Sequence, residues 1–313
     1  MKKGIVCLGE ALIDFIPADH TNMVYQKCPG GAPANVAVGA ARLGIPSTFL
    51  GKLGNDVLGT FLKETLAGYG VRTDHLPLTD EARTGIVFVT LAESGERSFE
   101  FFIERSADQL LAQEDISEEL LEQSKILHFG SISLIHEPSR SATMRAVELA
   151  KKHGVLVSYD PNLRLGLWES GEAARQGILS MMPHADLLKI SEEELEFLTG
   201  HAEIEAGLAA LAQYNIPYIF ITLGAEGSYV AAGGELSRAA AMKVTAVDTT
   251  GAGDAYVSGI LYSFHEFAGD KITVHELEQF ARFASVSGGL AASQKGAMTA
   301  LPTLEQVQAL LQE

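Results

Sequence analysis

Six short apolar runs, several of them followed by a stretch with helical spacing and the last by a turn and a further strand, Tyr229 to Ala232, set the strongest limit on how this chain can fold. They are Ile5 to Gly9, Ser47 to Leu50, Ile126 to Phe129, Val155 to Tyr159, Asp186 to Ile190 and Pro217 to Leu223. Strands that are apolar on both faces belong to parallel sheets, where crossover helices cover each side. The intervening segments fit those crossovers. Pro33 stands in the favoured first turn of a helix that Gly44 ends, Asp56 to Tyr69 is a second, and Ser139 to His153, stopped by Gly154, is a third. Val274 to Ala292 has helical spacing until Lys295-Gly296-Ala297 breaks it, and Leu304 to Leu311 closes the chain. With 313 residues and 47% hydrophobic content, a large core can be buried. The expected architecture is a single three-layer α/β/α domain with a mostly parallel central sheet. One segment departs from the alternation: Gly85 to Leu91 and Arg97 to Ile103 flank the turn Glu93-Ser94-Gly95-Glu96 and read as a hairpin exposing Phe88, Phe99, Phe101 and Phe102.

Open α/β sheets bind ligands beyond the carboxyl ends of their strands, and polar residues gather there in this chain. Glu10 and Asp14 follow the first strand; Asp14 is a candidate acceptor for a sugar hydroxyl, or else a turn or edge-strand residue. Gly30-Gly31-Ala32-Pro33-Ala34-Asn35 opens a helix, with the Asn35 amide able to donate to and accept from a polyol. Asp160-Pro161-Asn162-Leu163-Arg164 follows another strand, and Arg164 either reaches a transferring phosphate or forms a surface ion pair. Lys189, in the run Asp186 to Ile190, is a candidate partner for nucleotide phosphates. Ser191 and Glu194 fit a capping box, which explains them without a ligand. Gly224 to Ser228 is a turn of small residues suited to flank an adenine or ribose.

The most chemical stretch is Asp248-Thr249-Thr250-Gly251-Ala252-Gly253-Asp254-Ala255-Tyr256. Met242, Val244, Ala246 and Val247 read as a strand before it, and Tyr256, Ile260 and Phe264 as a helix face after it. Gly251, Ala252 and Gly253 then lie at a helix start, where free N–H groups and the dipole suit phosphate oxygens. A carboxylate there is repelled by such a ligand, so Asp254 reads as a base for an attacking hydroxyl. The plainer alternative is a helix cap at Asp248 or Thr249 with glycines for the turn.

The formal charge of −17, from 40 acidic and 23 basic residues, opposes nonspecific binding to nucleic acid or anionic membrane. Cys7 and Cys28 form no pair or framework, no apolar run is long enough to span a membrane, and no signal peptide is evident, so a cytoplasmic protein is expected. No G-x-G-x-x-G follows the first strand and no Gly-Lys-Ser/Thr loop occurs, which argues against a dinucleotide-dependent dehydrogenase and a Walker-type kinase.

Together these residues resemble the ribokinase/PfkB carbohydrate kinase family over essentially the whole chain. Gly30 to Asn35 looks like its first signature and Asp248 to Tyr256 its second. The likeness is closest to fructokinases, through Gly9 to Phe15, Ser106-Ala107-Asp108, His128 to Leu134, Tyr159 to Leu165 and Lys189 to Glu194. The resemblance implies a ribokinase-like fold with a small β-sheet lid, formed within about 12–30 and 84–105, and ATP-dependent phosphorylation of D-fructose to D-fructose 6-phosphate.

It also implies roles for residues. Asp254 is the base and Gly251, Ala252 and Gly253 the anion hole; Asp14, Gly30, Gly31, Asn35 and Arg164 match the sugar side. Lys189, Ser191, Thr222, Gly224 and Gly227 match nucleotide positions. Glu194 handles Mg²⁺ through water, and Asp248, Thr250, Ala291, Gln294 and Gly296 surround a monovalent cation, K⁺. Two positions depart from the pattern: Ser191 stands where many members have Asn, and Ile103 where fructokinases carry Arg. Arg105, two residues on and on the same face if the strand persists, is expected to replace that arginine. The alternatives are a 2-keto-3-deoxygluconate kinase and a noncatalytic sugar sensor, and the exposed phenylalanines suggest a homodimer.

Overall fold

The structure, a computed structural model, describes residues 2–92, 97–102 and 104–311. Its main sheet has eight strands in the order Glu235–Ala239, Ser228–Ala232, Tyr218–Thr222, Leu187–Ser191, Leu156–Tyr159, Ile126–Phe129, Ile5–Leu8, Ser47–Leu50. The six from Tyr218–Thr222 to Ser47–Leu50 pair in parallel, and the last two in sequence are antiparallel. The first strand shows why the runs are apolar throughout. Ile5 and Cys7 enter the core beneath helices Ala32–Arg42, Val57–Gly68, Ala252–Glu266 and Val274–Ala292. Val6 and Leu8 enter the opposite core, with Ser139–Lys152, Gly171–Met181 and Glu192–Thr199. Each side of the sheet thus has its own apolar layer, which is the three-layer arrangement expected.

The hairpin does not stand alone. Ile86–Leu91 and Arg97–Phe102 join Leu12–Pro17 and Tyr25–Gly30 in a four-stranded sheet, in the order Tyr25–Gly30, Leu12–Pro17, Ile86–Leu91, Arg97–Phe102. Three or more strands with an apolar face are stable where two are not, and Phe88 stacks on Phe15 with Tyr25 and Phe102 edge-on. Phe99 and Phe102 remain about half exposed. The turn at 93–96, and Ile103, lie outside the described residues.

Three expectations need correction. The segment 242–247 is no strand: Glu235–Ala239 already occupies that edge of the sheet. Its backbone turns instead to the Val274–Ala292 helix, where Met242 N–H donates to Ser285 Oγ and Val247 N–H to the Ala292 carbonyl. The strand at Arg97 ends at Phe102, and Arg105 has φ +58°, a left-handed turn, so it does not continue the strand face. Asp14 is neither a turn nor an edge residue, since its strand pairs on both sides. Among the described residues, no helix is long and apolar enough to cross a membrane.

Candidate active site

The chain runs from the first strand out to Ser47–Leu50, then returns to the other side of the first strand at Ile126–Phe129. Such a switch opens a crevice at the carboxyl ends of the strands, and the candidate residues converge on it. The helix Ala252–Glu266 begins there. Gly251 is its N-cap, with φ +77°, and a Cβ on it would meet the Ala297 backbone at 3.0 Å. No side chain caps this helix start, but Ala252 N–H donates to the Thr249 carbonyl at 3.1 Å, so of the three amides expected to form an anion hole those of Gly251 and Gly253 remain for a ligand. Asp254 lies in the first turn and is 9% exposed.

The main link across the crevice is a hydrogen bond from Asn35 Nδ2 to Asp254 Oδ2, 2.7 Å long and buried. It joins the glycine-rich turn at 30–35 to the turn at 251–254, although 219 residues separate the two in sequence. Asn35 Oδ1, also buried, has no protein partner; a buried acceptor without a donor is costly, and a ligand hydroxyl there would satisfy it. Gly31 has φ +104°, and a Cβ there would press on the Glu10 carbonyl at 2.5 Å. A Cβ on Gly30 would collide with the Asp14 carboxylate. The glycines therefore let the turn lie against residues 10–14.

Burial sets the electrostatics of the site. It pushes the Asp254 carboxyl up to about 6; Asp160 adds to the rise, while the Asn35 hydrogen bond, Lys189 and Arg164 pull the other way. Burial also takes Asp14 to about 6, against Arg164, and Asp108 to about 6. The Asp254 carboxyl is thus ionised near neutrality yet close enough to pH 7 to take up a proton, as a general base must.

Lys189 Nζ forms an ion pair of 3.1 Å with Asp160. Burial disfavours its charge, but Asp160 and Glu194 outweigh that and hold the ammonium above its ordinary value. The same Nζ is 3.9 Å from where a Gly253 Cβ would stand, so this cation borders the 251–254 turn. Ser191 caps its helix as expected, with Glu194 closing the capping box. Each Glu194 oxygen accepts a backbone N–H, one from Ser191 at 2.8 Å and one from Leu163 at 2.7 Å. The carboxylate is a structural clamp, and only its outer lone pairs remain for a hydrated Mg²⁺.

Asp248 Oδ1 accepts from the Thr250 N–H at 3.1 Å and hydroxyl at 2.7 Å, and Oδ2 accepts from Gly296 N–H at 3.2 Å. Asp248 N–H donates to Ala292, and Gln294 N–H to Ala291. The five residues expected around a monovalent cation are therefore neighbours, and their carboxylate, hydroxyl and carbonyl oxygens are hard-cation donors. Among the described residues, no group of three or more His, Cys, Asp or Glu side chains forms a metal centre.

Thr222 ends the strand Tyr218–Thr222, and Gly224 and Gly227 bracket the turn that follows, with φ +54° and +102°. Arg164 is exposed and donates to the Asn162 and Leu163 carbonyls, within electrostatic reach of Asp14 and Asp254. Arg105 is exposed on its turn, and its backbone N–H is held by Gln109. Two buried acids left outside the candidate site by the sequence reading, Asp160 and Asp108, face it electrostatically. The available signals were the position of Asp160 directly after the strand Leu156–Tyr159 and that of Asp108 in the Ser106-Ala107-Asp108 motif.

A family model described as pfkB family carbohydrate kinase matches residues 2–304. Probable fructokinase-7 of Arabidopsis thaliana is 42% identical over 318 residues, covering 98% of this chain and 92% of that protein. The crystal structure of fructokinase from Vibrio cholerae O395 with fructose, ADP and calcium ion superposes with a TM-score of 0.90 at 42% identity, covering 98% of each chain. Fructokinase from Xylella fastidiosa with bound ATP gives 0.92 at 34% identity, covering 100% of this chain and 99% of that one. The ribokinase-like fold expected from the sequence is the observed one.

Proposed function

This chain belongs to the pfkB family of carbohydrate kinases, and we propose that it transfers the γ-phosphoryl group of ATP to the 6-hydroxyl of D-fructose, giving D-fructose 6-phosphate and ADP. The observation that carries this reading is the Asn35–Asp254 hydrogen bond of 2.7 Å. It sets a polyol-binding amide and a candidate base side by side at a helix start suited to phosphate. In this reading Asp254 accepts the sugar hydroxyl proton as oxygen attacks phosphorus, and the Gly251-Ala252-Gly253 turn holds the charge on the transferring group through the amides of Gly251 and Gly253. Lys189, with Thr222, Gly224 and Gly227, serves the nucleotide side. Glu194 would hold hydrated Mg²⁺, which would offset phosphate charge, and Asp248, Thr250, Ala291, Gln294 and Gly296 would hold K⁺.

A neutral sugar suits the site better than an acidic one. The carboxyl groups of Asp14 and Asp254 lie on the sugar side, close enough for each to feel the other's charge. Like charges about 4 Å apart cost about 4 kcal/mol at an effective dielectric near 20, which disfavours 2-keto-3-deoxygluconate. Arg105, the candidate to offset that cost, is exposed on a turn.

The four-stranded sheet is proposed to act as a lid that excludes water from the phosphoryl group. Its exposed Phe99 and Phe102, with Met23 and Val24 at the other hairpin, favour pairing of two lids in a homodimer. The free thiols of Cys7 and Cys28 fit a reducing, cytoplasmic setting.

A coupled ADP-release assay over a panel of sugars, with and without K⁺, tests the reading; fructose should give the highest kcat/KM and K⁺ should raise it. A higher kcat/KM for 2-keto-3-deoxygluconate would overturn the substrate assignment, and sugar binding without ADP release would point to the sensor. Light scattering that finds only monomers would refute the dimer.

A further inference from the structure

The helix Ala32–Arg42 begins without a cap of its own. Gly31 at the N-cap has no side chain to offer, and the first turn has no acidic residue. Pro33 lacks an N–H, and Asn35 N–H donates to the Gly31 carbonyl at 2.8 Å. The Ala32 N–H is taken by a residue from elsewhere: Glu10 Oε1 accepts it at 3.1 Å. Glu10 follows the first strand and is 4% exposed. Its own carbonyl is also the atom a Gly31 Cβ would strike. Glu10 therefore holds the 30–35 turn by its carboxyl while the turn lies close against its carbonyl, and that turn delivers Asn35 to Asp254.

We propose that Glu10 is a positioning residue for the sugar: it caps the Ala32–Arg42 helix from outside and so fixes Gly31 and Asn35 where fructose is recognised. This rests on the fructokinase reading above. Among the described residues, no hydrogen bond joins this turn to Lys189, Thr222, Gly224 or Gly227, so the effect falls on the sugar. Burial, with Asp108 and Asp254 nearby, raises the Glu10 carboxyl to about 8, so near neutrality it is protonated and uncharged. An amide of the same shape then reproduces it.

Glu10→Gln and Glu10→Ala separate this role from general instability. Glu10→Gln keeps the acceptor for Ala32 N–H and should leave KM for fructose within about twofold to threefold of wild type. Glu10→Ala leaves that N–H unpaired in a buried site, and should raise KM for fructose about fivefold to fiftyfold, the range for losing one buried hydrogen bond and stranding its donor. KM for ATP should change less than about twofold in both. If KM for fructose is unchanged in Glu10→Ala, or rises together with KM for ATP, the proposal fails. If Glu10→Ala does not fold, Glu10→Gln decides alone: a tenfold rise in its KM for fructose overturns the cap, and wild-type behaviour upholds it. Failure of the fructokinase reading is separate, because it would appear as absent fructose turnover in the wild-type protein.

Discussion

Placing a base in a buried pocket has a stability cost, and its size follows from the geometry at Asp254. Its carboxyl lies at about 6 in the folded protein against an ordinary 3.8, chiefly through burial. A rise from 3.8 to about 6 corresponds to about 3 kcal/mol of disfavour for the ionised form. The sign follows from the raised value. Below 3.8 the group is protonated in both states and costs nothing; between 3.8 and 6 the unfolded chain ionises first, and above 6 the full penalty applies. Asp254→Asn removes the charge but keeps an oxygen that can accept from Asn35 Nδ2. The variant should therefore be more stable than wild type at pH 8, by about 1–3 kcal/mol or on the order of 5 °C in melting temperature. The gain should shrink towards zero at pH 4. Denaturant or thermal melts across this range are the assay. A variant no more stable than wild type at pH 8, or a gain that does not vary with pH, would refute the reasoning.

Two further outcomes follow from other parts of the fold. Asp56 accepts from Leu58, Gly59 and Thr84 N–H and from the Thr84 hydroxyl, tying a helix start to the residue that leads into the small sheet. Asp56→Ala should cost about 2–4 kcal/mol in denaturant melts at pH 7. Burial opposes the charge on Asp56, but these hydrogen bonds win and lower its pKa. The Asp56 contribution should therefore be lost as pH falls below 3.8; a variant as stable as wild type at pH 7 would remove Asp56 as an anchor. Gly227 has φ +102°, and a Cβ there would collide with the Ala239 carbonyl. Gly227→Ala should raise KM for ATP several-fold more than KM for fructose, with about 1–3 kcal/mol of strain; equal effects on both constants would argue against a nucleotide-side turn.

The fold was legible where a single residue pattern had a single physical cause. Strands buried on two faces must be apolar throughout, and Ile126–Phe129 and Ser47–Leu50 appear with the bounds their composition implied. The edge hairpin Ser228–Ala232 and Glu235–Ala239 was half hidden, because the outer strand is largely exposed and reads as polar. The signal lay in its turn, where Gly233 and Gly234 both take positive φ, as a two-residue hairpin loop requires. The alternation at 242–247 misled because alternation gives a strand only if a sheet edge is open to it. The site was legible as two glycine turns, but the contacts between them were not. Asp160 pairs with Lys189 and Glu10 reaches Ala32 only through tertiary packing, which spacing along one segment does not encode.

The central claim is that Asp254 takes the proton from the fructose hydroxyl as phosphoryl transfer occurs. Single-turnover formation of fructose 6-phosphate by wild type and Asp254→Asn, each saturated with ATP and fructose and with binding of both verified by calorimetry, tests it most directly. The account predicts retained binding with a transfer rate lower by at least about 10²–10⁴-fold. A variant that binds both substrates and transfers phosphate at close to the wild-type rate would contradict it.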